Sequence, residues 1–170
     1  GEVGSGKTTL VKALLQQLGD EVSVCRITNV HPSMRDLSHW VLAGFGHRPP
    51  GTTKPALDQE LARFLTAEAR LGRRCLLVID EAQNLGAWAL EELLGLLGAS
   101  GGERALHVLL VGAPTLRDRL SAAAPDGLMQ CVALWFHLQP LPFHETLSYV
   151  QTRLAAAGSG DSASSSATRS

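Results

Sequence analysis

The chain has 170 residues, 45% of them hydrophobic and 18% charged, with a formal net charge of −1. That is one domain's worth of chain with enough apolar content for a core, and it lacks the basic excess that marks a nucleic-acid footprint. Cys25, Cys75 and Cys131 stand far apart and the six histidines are scattered, which argues against a disulfide framework or a zinc cluster and reads as buried thiols in a reducing cytosol.

The chain opens on Gly1-Glu2-Val3-Gly4-Ser5-Gly6-Lys7-Thr8-Thr9. This fits G-x-x-x-x-G-K-[ST], the phosphate-binding P-loop. Its glycines let successive backbone N–H groups turn toward phosphate oxygens. Lys7 is placed for the β- and γ-phosphates, and the Thr8 hydroxyl for Mg²⁺. A helix over about residues 8–18 follows, with Leu10, Val11, Leu14, Leu15 and Leu18 as its inward stripe, and its N-terminal dipole also favours an anion. A P-loop follows a buried strand. The chain starts on the first glycine instead, which predicts that the sequence is a piece of a longer protein.

Val22 to Ile27 reads as a strand, rich in β-branched residues. Thr28-Asn29 after it is either a turn or the polar end of a strand at the ligand edge of a parallel sheet. Ser33-Met34-Arg35-Asp36 matches a capping box with Asp in place of Glu. The spacing predicts a helix from there to about Phe45, with Leu37, Trp40 and Val41 inward. Leu57, Leu61, Phe64 and Leu65 mark the next helix, ending near Gly72.

Cys75-Leu76-Leu77-Val78-Ile79-Asp80-Glu81 is the second decisive stretch. A continuous apolar run of this kind is a central parallel strand buried on both faces. It closes on two carboxylates: Asp80 suited to Mg²⁺ through its water shell, and Glu81 to activating a water for attack on a γ-phosphate. With the glycine-rich loop upstream, these make a Walker A/Walker B pair. A leucine-rich helix over about Trp88 to Leu97 follows, then a strand Leu106 to Val111, and a short helix with Leu116 and Leu120. Val132 to Leu138 is predicted as the last strand, and a helix from about His144 to Ala156 completes the ordered part.

Alternating strands and helices predict a three-layer α/β/α sandwich with a mostly parallel central sheet. The core is expected over residues 1–157. The Ala/Gly/Ser-rich stretch 158–170 lacks the apolar residues needed to order itself. No apolar run approaches the roughly 20 residues of a membrane-spanning helix.

Gly1 to Leu10, together with Val78-Ile79-Asp80-Glu81-Ala82-Gln83-Asn84-Leu85, resembles the bacterial AAA+ ATPases of the general secretion pathway protein A type. Leu110-Val111-Gly112-x-Pro114, His137-Leu138-x-Pro140-Leu141 and Glu145-Thr146-x-x-Tyr149-Val150-x-x-Arg153-Leu154 are similar to that family too. The resemblance implies a P-loop NTPase core that binds ATP with Mg²⁺, hydrolyses it and works as a homo-oligomer. It implies a secretion-machinery partner, with ATP turnover at the cytoplasmic face of the inner membrane driving secretin assembly. Related ATPases act on DNA in transposition, and a hydrolysis-deficient nucleotide-binding paralogue is a further alternative. By the same resemblance Gly1, Glu2, Val3, Gly4, Ser5, Gly6, Lys7, Thr8 and Thr9 hold the nucleotide. Thr8 and Asp80 serve the metal, and Glu81, Lys7 and Asn29 are catalytic, Asn29 as a polar switch that orients Glu81. Two departures stand out. Ala113 occupies a position where the family has a polar sensor, with Thr115 as a possible substitute. Cys131 and Trp135 replace arginines, leaving Arg117 or Arg119 either as a trans-acting finger or as solvated helix charges.

Overall fold

The computed structural model describes residues 2, 4–28, 36–48, 53–99, 106–123 and 128–158. Three strands, β1 (Val22–Ile27), β2 (Arg74–Ile79) and β3 (Leu106–Leu110), form a parallel sheet in the order β1-β2-β3. The register pairs Val22 with Arg74 through Ile27 with Ile79, and Cys75 with Leu106 through Ile79 with Leu110. Parallel strands need long crossovers. Helices α2 (Leu37–Gly44) and α3 (Lys54–Arg70) lie between β1 and β2, and α4 (Ala87–Ala99) lies between β2 and β3. Helix α1 (Lys7–Gln16) precedes the sheet, and α5 (Thr115–Ala123) and α6 (Leu128–Cys131) follow it. The chain divides into two compact units, Gly1–Leu138 and Gln139–Ser170; the described part of the second carries helix α7 (Phe143–Gly158).

Strand periodicity sorts the sheet's side chains into two layers. Cys25, Ile27, Cys75, Leu77, Ile79 and Leu106 share one face and join a core with Leu37, Val41, Leu42, Leu57, Leu61, Leu65, Leu90, Leu93, Leu116 and Leu120. The other face carries Val24, Leu76, Val78, Leu109 and Val111, and packs against Val11 and Leu15 of α1. The expected three-layer α/β/α architecture is therefore present, and among the described residues α2 to α5 contribute to the core on one face of the sheet while α1 packs on the other.

Three local expectations are corrected. Val132 to Leu138 is not a strand; those residues have no regular structure, and Leu134 and Phe136 are exposed. A strand exists only through pairing, and no strand among the described residues pairs with the outer edge of β3. In α1, Leu10 and Leu14 are exposed and Val11 is the buried residue. The apolar stripe is wider than the sheet surface available to it. In α2, Trp40 is 46% exposed, while Leu37, Ser38, Val41 and Leu42 form the buried face.

The capping box is also displaced. Asp36 lies at the N-cap of α2, with φ of 61° and no capping hydrogen bond from its side chain. Ser33 to Arg35 lie outside the described residues. The Leu37 N–H instead donates to the Glu92 carboxylate of α4, 2.7 Å away, and Glu92 also pairs with Lys54 of α3. One buried carboxylate thereby satisfies an open helix end and ties three helices together.

Candidate nucleotide-binding site

The site lies where the loop before α1 meets the carboxyl ends of the strands. Gly4 and Gly6 adopt φ of 82° and 83°, the left-handed region that glycine occupies without a Cβ penalty. The loop closes on the Glu2 carbonyl, which accepts from the Ser5 N–H at 3.3 Å, the Ser5 hydroxyl at 2.8 Å and the Lys7 ammonium at 2.7 Å. No side chain caps the start of α1. A helix start built this way is suited to an anion.

Thr8, in the first turn of α1, donates its hydroxyl to Oδ2 of Asp80 at 3.3 Å. Residues 72 apart in sequence thus meet. Asp80 immediately follows β2 and projects to the α1 side of the sheet, in step with Leu76 and Val78. Its N–H still pairs with the Ile27 carbonyl at 2.9 Å, so the carboxylate sits on rigid backbone. Two hard oxygen donors side by side, completed by waters and phosphate oxygens, are what a Mg²⁺ site of this kind requires. The residues present therefore fit that metal. Among the described residues no cluster of three or more His, Cys, Asp or Glu side chains is placed to hold a metal.

The next residue, Glu81, is exposed and has φ of 52°. A non-glycine residue in this region stores about 1–2 kcal/mol of strain. Its N–H donates to Oδ1 of Asp80 at 3.0 Å, and its carboxylate accepts from the Gln83 side-chain amide at 2.5 Å. The two acids thus diverge at the end of a buried strand, Asp80 toward Thr8 and Glu81 toward solvent.

Two residues near these acids were not singled out from sequence. Arg26 of β1 bonds Oδ2 of Asp80 at 3.2 Å, sharing that oxygen with Thr8. The available signal was a guanidinium at an alternating position of β1, in step with Val22 and Val24 on the α1 face. Gln83 bridges Glu81 to the end of β3, where its Oε1 accepts the Ala113 N–H at 3.0 Å. Thr115 begins α5 and is exposed. Arg119 donates to the carbonyls of Gln83 and Leu85, and the Arg117 guanidinium lies 5.7 Å from the centre of the Trp135 ring. Gly1, Val3 and Asn29 lie outside the described residues, so the loop's first and third positions and the expected switch are not placed.

A glycine-rich loop opening a helix, its hydroxyl set against a carboxylate at the end of a central parallel strand, defines a P-loop α/β fold. Comparison with known proteins narrows the class. The chain belongs to the AAA domain family, whose profile matches residues 1–120. It is 35% identical over 160 residues to general secretion pathway protein A of Aeromonas hydrophila, a match spanning 93% of this chain and 29% of that protein. The chain therefore covers under a third of that relative's length. Among solved structures, the ORC2 protein of Aeropyrum pernix in its ADP form superposes with a TM-score of 0.65 at 19% identity, over 92% of this chain and 44% of that one. The same protein in ADPNP–ADP complexes gives 0.63 at 21% identity, over 91% and 43% of the two chains. These likenesses establish the AAA+ fold.

Proposed function

We propose that this chain binds ATP with Mg²⁺ and hydrolyses it to ADP and phosphate. The observation that carries the reading is the meeting of Thr8 and Asp80 at 3.3 Å, with Glu81 next in the chain and turned toward solvent. In this reading the loop from Gly1 to Thr9 holds the phosphates, with Lys7 on the β- and γ-phosphates. Thr8 and Asp80 would hold Mg²⁺, which screens phosphate charge when bound. Glu81 orients a water and takes its proton as the water attacks the γ-phosphate.

The 35% identity to general secretion pathway protein A supports a place in the same kind of machinery. We read the chain as the motor module of a secretion ATPase at the cytoplasmic face of the inner membrane, working as a homo-oligomer. No described helix is long and apolar enough to cross a membrane. Fractionation of cells carrying the full-length protein would test the location, and sedimentation velocity with and without a non-hydrolysable ATP analogue would test the assembly.

The deciding experiment is Mg²⁺-dependent ATP hydrolysis by the chain beside Glu81→Gln and Lys7→Ala. Glu81→Gln should bind ATP and lose turnover by at least a hundredfold, whereas Lys7→Ala should lose binding. Unchanged turnover in Glu81→Gln would remove Glu81 from the chemistry.

A further inference from the structure

The side chain of Gln83 spans from the base to the neighbouring strand. Its Oε1 accepts the Ala113 N–H at 3.0 Å, and its amide nitrogen donates to Oε2 of Glu81 at 2.5 Å. The orientation of the amide follows from its partners. A backbone N–H can only donate, so the oxygen must face Ala113, which leaves the NH₂ for the carboxylate. The short 3₁₀ turn that carries Gln83 (Ala82–Asn84) is itself fixed. The Ala82 N–H donates to the Val111 carbonyl at 2.9 Å, and Arg119 clasps the carbonyls of Gln83 and Leu85. The end of β3 is shaped to admit the bridge. A Cβ on Gly112 would come within 2.6 Å of the Gln83 oxygen and 3.3 Å of its backbone nitrogen.

The geometry points to Gln83 as a positioning residue for Glu81, coupling the water-activating carboxylate to the end of β3 in place of a polar side chain at residue 113. The Ala113 methyl offers no hydrogen bond, and toward Gln83 the residue presents its backbone N–H. Gln83 converts that N–H into a fixed anchor and passes it on as a donor to Glu81. Glu81 is exposed, so packing does not fix its side chain and the Gln83 amide supplies a tether. A carboxylate free to rotate would spend less time aimed at the water, and misplacement of about 1 Å at a reacting group costs about 10²-fold in rate. This inference rests on the ATPase reading above.

The test compares wild type, Glu81→Gln, Gln83→Ala, Gln83→Glu and Gly112→Ala in Mg²⁺-dependent ATP hydrolysis, with kcat and KM separated. Gln83→Glu keeps an acceptor for the Ala113 N–H but replaces the donor toward Glu81 with a like charge. Tenfold or greater loss of kcat is expected in Gln83→Ala, Gln83→Glu and Gly112→Ala, with KM for MgATP within twofold of wild type and Tm retained in Gln83→Glu. Wild-type kcat in a folded Gln83→Glu would overturn the inference while leaving the ATPase reading intact. Unaltered turnover in Glu81→Gln, or none in wild type, would overturn both. Amide hydrogen exchange at Ala113 provides a readout independent of turnover. Protection in wild type that is lost in Gln83→Ala is expected, and equal exchange in the two proteins would remove the bridge.

Discussion

Glu68 offers the sharpest test of how the sheet is anchored. It lies in α3 with its side chain 8% exposed. Its carboxylate accepts two bonds from Arg73, at 2.8 and 2.5 Å, and one from the Ser23 hydroxyl of β1. The Arg73 guanidinium first and the Ser23 hydroxyl second pull its pKa from 4.5 down to about 2. By linkage such a displacement corresponds to about 3 kcal/mol at neutral pH. Arg73 is 41% exposed, so solvent screens the pair, and Glu68→Gln should lower stability by about 1–2 kcal/mol. The sign follows from the lowered value. The contribution is complete above the unfolded pKa near 4.5 and is lost as pH falls toward about 2. Urea unfolding of wild type and variant at pH 7 and at about pH 3 measures it, and the difference should shrink by more than half at the lower pH. A difference that is the same at both pH values would refute the reasoning, because it would then come from shape rather than charge.

Leu77 sits in the middle of β2 at 0% exposure. Leu77→Ala should cost about 2–5 kcal/mol in urea unfolding, against under about 0.5 kcal/mol for a substitution at the exposed Leu134. The three thiols should react unequally with a colorimetric thiol reagent. Burial raises Cys25 and Cys75 to pKa values of about 11, while Cys131, also expected to be buried, is exposed. One thiol per chain should react promptly in native protein and three after unfolding; prompt reaction of all three would contradict the buried placement.

The strands were legible because β2 and β3 are short, mostly apolar runs bounded by turn residues, and β1 begins and ends where its β-branched composition does. Val132 to Leu138 has the same local character and forms no strand, because strand formation depends on a neighbour that composition cannot reveal. Helical spacing likewise shows which residues share a face but not how much of that face is covered. Leu10, Leu14 and Trp40 fall on apolar stripes by spacing and yet lie exposed for that reason. At the candidate site, Thr8, Asp80 and Glu81 stand out in the sequence because their motifs are contiguous. Arg26 and Gln83 act through partners 54 and 30 residues away, and nothing in the linear order marks those pairings.

The unequal outer layers have a mechanical consequence. Thr8 rides on α1, which among the described residues is held to the sheet by the buried Val11 and the partly buried Leu15, whereas Asp80 and Glu81 follow a strand backed by the larger core. On the proposed reading, the two halves of the candidate site belong to parts of the fold with different resistance to local opening. A ligand bound across them acts as a clasp, and its binding energy is partly the energy of keeping α1 docked. At a hundred times its Kd such a ligand adds about 2.7 kcal/mol to the stability of the bound form. If the chain binds ATP there as proposed, nucleotide occupancy and the integrity of the thin layer are two readings of one equilibrium.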